Sequence, residues 1–88
     1  MNVFFTSRFH KDISKLVDEN LLERIALTIE EIENAEKLSS ISNIKKMKGF
    51  LGYFRIRIGD YRLGIYVEKG DIYTQRFAHR KDIYDIFP

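Results

Sequence analysis

Tyr53-Phe54-Arg55-Ile56-Arg57-Ile58-Gly59-Asp60-Tyr61-Arg62-Leu63-Gly64-Ile65-Tyr66-Val67-Glu68 is the stretch that decides the fold. Two runs of alternating residues flank a Gly-Asp pair. A period of two is the mark of a strand with one buried face, and a two-residue Gly-containing break between such runs is a hairpin turn. The register follows. Ile58 lies opposite Tyr61, Arg57 opposite Arg62, and Arg55 opposite Gly64. Phe54, Ile56 and Ile58 share the core face with Tyr61, Leu63, Ile65 and Val67, while Arg55, Arg57 and Arg62 share the other. Like charges directly opposed across two strands oppose folding by roughly a few tenths of a kcal/mol. Folding alone supplies no reason for the Arg57–Arg62 pair, and a bound anion supplies one.

Downstream, Gly70-Asp71 or Lys69-Gly70 marks a second tight turn, and Ile72 to Ala78 a third strand. Either turn places Tyr73, Gln75, Phe77 and His79 on the face of Arg62, and a Gly70-Asp71 turn sets His79 opposite Arg62. Gly64 then leaves a gap among Arg55, Arg57, Arg62, Tyr66 and His79 where a ligand can approach. Arg76 falls on the core face with Ile72 and Thr74, which a bulge or a side chain reaching to the sheet edge would accommodate. Arg80 to Phe87, with Ile83, Ile86 and Phe87 at helical spacing, predicts a short terminal helix whose Arg80 and Tyr84, four apart, overhang the same surface.

Upstream, Ile44-Lys45-Lys46-Met47-Lys48-Gly49 is a basic approach to the sheet, and residues 38–43 are a connector. Asn2 to Thr6 predicts a strand. Thr6-Ser7 caps a helix carrying Phe9, Ile13, Leu16 and Val17 and ending near Asp18. Asn20 with Glu23 has the form of a capping box ahead of a second helix, Glu19 to Lys37. Leu22, Ile25, Ile29 and Ile32 are its core stripe, widened by Leu21 and Leu27. The fold class is α+β, in the order β-α-α-β-β-β-α. A helical hairpin packs on one face of a small antiparallel sheet, followed by a short C-terminal helix, and residues 1–88 form one domain.

The composition removes several classes of function. The chain has 88 residues, 44% hydrophobic and 32% charged, an ordinary globular mix. Such a length buries only about 60–65% of the surface of the unfolded chain. No 18-residue apolar run exists to span a membrane, and the first residues lack a basic n-region. With no cysteine there is no disulfide framework or thiolate metal site, which fits a reducing, cytoplasmic setting. His10 and His79 are too few and too scattered for a metal cage, and no cofactor or metal is expected. Charge divides unevenly. Residues 1–44 hold five Lys/Arg and eight Asp/Glu, and residues 45–88 hold ten and five. The basic half is the candidate for a polyanionic partner. Glu30-Glu31-Ile32-Glu33 and His10 are a solvated helix face and a surface residue.

Arginine is also an ordinary filler of a sheet's solvent face. This group stands apart because no carboxylate is interleaved with it; Asp60 and Glu68 sit at the turn and the strand end. Three arginines, a histidine and a tyrosine without convergent carboxylates suit phosphate chemistry better than glycoside or peptide hydrolysis. Neither a serine nucleophile motif nor a Gly-rich phosphate loop is present. RNA cleavage through the 2′-hydroxyl needs a base, cations around the phosphorane and an acid for the departing 5′-oxygen. Arg55, Arg57, Arg62 and Arg80 can supply the cations. His79 and Tyr84 are the candidate proton-transfer groups on this face.

Tyr53 to Arg62, together with Ala78-His79-Arg80-Lys81-Asp82-Ile83-Tyr84 and the upstream Lys46-Met47-Lys48-Gly49, resembles the RelE/ParE superfamily of type II toxin–antitoxin toxins over essentially the whole chain. The resemblance implies a toxin whose RelE branch cleaves mRNA in the ribosomal A site, with a cognate antitoxin as partner. Arg55 and Arg57 match the family's basic pair on the second strand, and Arg62 its phosphate-binding arginine. Arg80 matches the arginine after the last strand, and Tyr84 the C-terminal tyrosine. Lys45, Lys46, Lys48 and Lys81 are candidate contacts to the RNA backbone. Lysines are typical where this chain has Arg55 and Arg57. A guanidinium keeps its proton at physiological pH, so His79 becomes the first candidate for base or acid. The ParE branch, which inhibits DNA gyrase by binding and needs no RNA chemistry, is the alternative.

Overall fold

The computed structural model describes residues 1–88, and the elements follow the expected order with one short strand added. They are β1 (Asn2–Phe5), α1 (Ser7–Ser14), α2 (Glu19–Asn34), β2 (Ile44–Lys46), β3 (Tyr53–Ile58), β4 (Tyr61–Glu68), β5 (Asp71–His79) and α3 (Ile83–Ile86). The five strands form one sheet in the order β1-β5-β4-β3-β2. β2 through β5 are antiparallel, whereas β1 runs parallel to β5. The helices between β1 and the rest of the chain make that crossover possible.

The β3–β4 register agrees with the reading from sequence at every position stated: Ile58 pairs with Tyr61, Arg57 with Arg62, and Arg55 with Gly64. Gly59 has φ +60, as required at the first centre of a type II′ turn. A Cβ there would also meet the Arg24 guanidinium at 2.6 Å. The next turn centres on Lys69-Gly70, both at positive φ, the signature of a type I′ turn. Glu68 therefore pairs with Asp71, and the Gly70-Asp71 alternative fails.

One residue on β5 changes the expected surface. Ile65 pairs with Thr74 but Gly64 with Arg76, so Gln75 is an extra residue and the alternation reverses beyond it. Phe77, expected beside Arg62, instead pairs with Leu63 and is buried in the core. Arg76 and Ala78 move to the face of Gly64 and Arg62, and His79 pairs with Tyr61 rather than Arg62. Of the four β5 residues expected on that face, Tyr73, opposite Tyr66, precedes the bulge and keeps its place.

The bulge also settles Arg76. Its Nε and Nη2 donate to the Asp12 carboxylate at 2.8 and 3.1 Å, and the Phe77 amide donates to the same group at 2.9 Å. This is the chain's one salt bridge, and it pins α1 to β5 where β1 has ended. Burial alone would raise the Asp12 carboxyl. The hydrogen bonds from Arg76 and Phe77, with the charges of Arg76 and Lys15, outweigh it and hold the carboxyl below the usual range. A depressed carboxylate stabilises the fold above its unfolded-state value, near 4, and that contribution disappears as pH falls through the folded-state value. Asp12→Asn is expected to cost about 1–3 kcal/mol at neutral pH and to flatten the acid limb of stability. Urea midpoints between pH 2 and 7 check this.

Asp18 caps α2, accepting from the amides of Asn20 and Leu21, so the Asn20 box does not form. A carboxylate two residues upstream already fills that role and suits the helix dipole. α1 stops at Ser14 and α2 at Asn34, where Ala35 turns extended. Both helices are shorter than expected. Leu21, Ile25 and Ile32 of α2 enter the core with Phe9, Ile56, Ile58, Leu63, Ile65, Ile72 and Phe77. Leu22 and Leu27, assigned to the stripe from sequence, are 37% and 58% exposed; Leu22 lies one position (about 100° of helical rotation) past Leu21, and Leu27 two positions past Ile25, nearly opposite the buried line.

The opposite face of the sheet is not left bare. Met47, Ile83 and Phe87 form a second small cluster there, with Tyr53 and Ala78 against it. Phe87 lies on Gly64, where a Cβ would come within 2.7 Å of three ring carbons. The gap at Gly64 is filled by the chain's own C-terminal segment. Gly64→Ala is expected to cost about 1–3 kcal/mol by overpacking and to expel the ring. Thermal melts of Gly64→Ala, Phe87→Ala and the double variant test it: the double should lie well above the sum of the singles, and simple additivity would count against the contact.

Candidate functional site

The hairpin places Arg55 and Arg57 on β3 and Arg62 on β4 on one face, and β2 adds Lys45 directly opposite Arg55. Together with Asn43 and Ile44 these side chains line an open pocket of about 340 Å³ that contains four cations and no carboxylate. No residue of the chain forms an ion pair with any of the four.

Each of the three guanidinium groups is held by neutral groups. Arg62 Nη1 donates to the carbonyls of Gly59 and Tyr61 at 3.1 and 2.9 Å, so the turn that sets the hairpin register also aims this guanidinium. Arg62 Nε is buried and donates to nothing, an expensive state for a charged donor. Arg57 Nη2 donates to Asn43 Oδ1 at 3.3 Å, and its amide to the Asn43 carbonyl at 3.1 Å. The Arg55 guanidinium lies over the Tyr84 ring, 5.5 Å from its centroid, a cation–π contact that brings a 54% exposed phenol to the pocket rim. The Arg80 amide donates to the Asp60 carbonyl at 2.8 Å, tying the residue after β5 to the same turn, with its side chain exposed.

The expected residues thus divide. Lys45, Arg55, Arg57 and Arg62 converge, with Tyr84 on Arg55 and Arg80 anchored at the turn. His79 is separated from them. Its ring lies edge-on to Tyr61 at 5.4 Å, and its Nδ1 accepts from the Lys81 amide at 3.2 Å. Lys46 pairs with Phe54 and so alternates to the other face from Lys45, while Lys48 and Lys81 are exposed in turns outside the pocket lining. Reasoning from sequence missed Asn43 and Phe87. Asn43 has φ +61, a conformation asparagine tolerates better than most residues, and its place just before a basic apolar run was the available signal. Phe87 carried no signal beyond helical spacing.

The chain thus presents a sheet with a helical hairpin on one side and a basic, carboxylate-free pocket on the other. A family model described as "ParE toxin of type II toxin-antitoxin system, parDE" matches residues 3–84, and the chain belongs to the RelE/ParE family of type II toxin–antitoxin toxins. It is 46% identical over 89 residues to Toxin RelE3 of Methanocaldococcus jannaschii, covering 100% of both chains. It is similar in structure to the toxin in the RelB-RelE antitoxin–toxin complex from Methanococcus jannaschii, with TM-score 0.81, 44% identity and coverage of 97% and 99% of the two chains. The archaeal RelE–RelB complex from Pyrococcus horikoshii OT3 shares the fold at TM-score 0.74 and 19% identity, over 93% and 97% of the chains.

Proposed function

We propose that this toxin is a ribosome-dependent endoribonuclease that cleaves mRNA in the A site and is neutralised by a cognate antitoxin. The observation that carries the proposal is the pocket of Lys45, Arg55, Arg57 and Arg62 without a carboxylate. Guanidinium forks suit the non-bridging oxygens of a phosphodiester, and Arg55, Arg57 and Arg62 carry their charge without a counter-ion in the chain. In the reaction a base removes the 2′-hydroxyl proton, and the 2′-oxygen forms a bond to phosphorus. The bond to the 5′-oxygen breaks as an acid protonates it, leaving a 2′,3′-cyclic phosphate and a 5′-hydroxyl. Arg55, Arg57, Arg62 and Arg80 would neutralise the pentavalent state, and Tyr84, beside Arg55, would protonate the leaving oxygen or stack a base. His79, at the end of β5 and turned to the sheet face of Tyr61, retains a role in proton transfer only if the C-terminal turn moves on binding; Lys45 is the one amine in the pocket and the other candidate for that role.

Relatives solved with RelB-type antitoxins support an antitoxin partner for this chain. The segment that crosses Arg55, Arg57 and Arg62 should be acidic. Induced expression is expected to halt translation and cut ribosome-bound mRNA, and co-expression of the antitoxin to restore growth. DNA damage and filamentation without mRNA cleavage would point instead to the ParE-type reading. Cleavage of naked RNA is expected to be weak, because the ribosome helps orient the scissile phosphate.

A further inference from the structure

We propose that Asn43, held from behind by Glu31, is a positioning residue that sets Arg57 and Lys45 for the phosphate. This rests on the nuclease reading above and adds the device that orients two of its cations. Residues 38–43 carry the chain from α2 to β2. They make one turn of 3₁₀ helix at Leu38–Ser40 and bury Ile41 in the core. The Ser42 amide then donates to Glu31 Oε2 at 2.7 Å, a short charge-assisted bond that clamps the connector to α2. Asn43 follows at φ +61 and holds Arg57 twice. Its carbonyl accepts from the Arg57 amide at 3.1 Å, and its Oδ1 from Arg57 Nη2 at 3.3 Å. The first bond extends the β2–β3 register one residue past the Ile44–Ile56 pair, and on the other side of that pair Lys45 faces Arg55. Whatever fixes Asn43 therefore fixes both Arg57 and Lys45.

Glu31 stands apart from its acidic neighbours. Glu30, Glu33 and Glu36 are exposed, whereas Glu31 is half-buried. Among the Glu30, Glu31 and Glu33 carboxylates it alone accepts a hydrogen bond. It also lies outside the lining of the cation pocket, so its negative charge acts through the backbone and does not compete with a phosphate. Asn43, which does line the pocket, is neutral. An amide oxygen orients a guanidinium and leaves its charge for the ligand, whereas a carboxylate in the same place would pair with it and neutralise it. A long, exposed arginine with many rotamers is thereby aimed without a counter-ion. Arg62 is aimed in the same way, by the carbonyls of its turn. The aim matters because a displacement of about 1 Å at a site of this kind can cost about 100-fold in rate.

Three variants separate positioning from stability. Asn43→Gly keeps the positive φ and removes Oδ1. Asn43→Asp is also tolerated at that φ and keeps an acceptor, but adds a charge. Glu31→Ala releases the Ser42 amide. Single-turnover cleavage at saturating programmed ribosomes should fall about three- to tenfold for Asn43→Gly and about tenfold for Glu31→Ala, with ribosome affinity within about twofold of wild type. Glu31→Gln, which keeps an acceptor oxygen, should recover most of the rate lost in Glu31→Ala. Asn43→Asp should instead reduce the slope of log K against log salt for ribosome binding by about 1. Asn43→Gly/Arg57→Ala should be no slower than Arg57→Ala alone. Nitrogen NMR spectra of the free proteins give a readout that needs no cleavage: the Arg57 guanidinium should rotate faster in Asn43→Gly and in Glu31→Ala than in wild type. Wild-type rates in both variants, full additivity in the double variant, or unchanged guanidinium rotation each overturn the proposal. A Glu31→Ala protein with a lowered thermal melt and unchanged Arg57 rotation would make Glu31 a stability residue and likewise overturn it. If wild-type protein cuts no mRNA while Arg57 rotation responds as stated, the nuclease reading fails and the positioning of the cations stands.

Discussion

Arg62→Ala is expected to relieve growth arrest and to slow single-turnover cleavage on programmed ribosomes by about 10²–10³-fold, the usual loss when one preorganised donor to a developing charge is removed. The size follows from how the side chain is held. Arg62 is half-buried between β3 and β5, and its Nη1 is fixed by the Gly59 and Tyr61 carbonyls. Its charge has no counter-ion in the free protein, so it costs little reorganisation when a phosphate arrives. Arg57, directly across the strand pair, should lose less on truncation, because it is exposed and held by Asn43 alone. Removing the Arg62 guanidinium also relieves the Arg57–Arg62 repulsion, so a thermal melt should move little in either direction. Arg62→Lys separates charge from geometry: an ammonium keeps the charge but loses the fork, and cleavage should fall between wild type and alanine. A fully toxic Arg62→Ala would show that the phosphate sits elsewhere. Arg80→Ala is expected to act in the same direction by a smaller factor, its side chain being exposed.

How much of this was legible in the sequence differs from element to element. The β3–β4 hairpin was readable to the residue because alternation and a Gly-Asp turn are both local signals, and a one-residue slip would invert every side chain. β5 was readable as a strand but not in phase. Its sequence, Ile72-Tyr73-Thr74-Gln75-Arg76-Phe77, contains the bulge at Gln75, and nothing local distinguishes that residue from its neighbours. Its cause is tertiary, since Thr74 donates to the Phe4 carbonyl while Arg76 and the Phe77 amide reach Asp12 on α1. That single residue moved His79 out of the candidate site and Arg76 out of the core. The expected bare surface around Gly64 failed for a related reason. Terminal segments are hard to place from spacing alone, and Phe87 proved to be a core residue of a second small cluster. What survived is the arginine constellation, because it depended on the one register that local chemistry determines.

The second large effect concerns the proton. A guanidinium cannot serve as base, and the pocket contains three of them and one amine, Lys45, facing Arg55 across β2 and β3. Lys45→Gln is expected to reduce single-turnover cleavage by about 10²–10⁴-fold, the range for loss of a positioned proton-transfer group. Ribosome affinity should change no more than loss of one phosphate contact requires. Lys45→Arg sharpens the comparison: it keeps the charge and the phosphate contact but not the capacity to release a proton, so it should remain inactive while binding normally. His79→Gln is the counter-experiment. Its Nδ1 supports the Lys81 amide beside Arg80, so its loss should slow cleavage less than about tenfold, through the placement of Arg80, still exceeding the effect of His10→Gln on the outer face of α1. A His79→Gln variant that loses cleavage, beside an active Lys45→Arg, would return the base to His79 and require the C-terminal turn to rearrange when RNA binds.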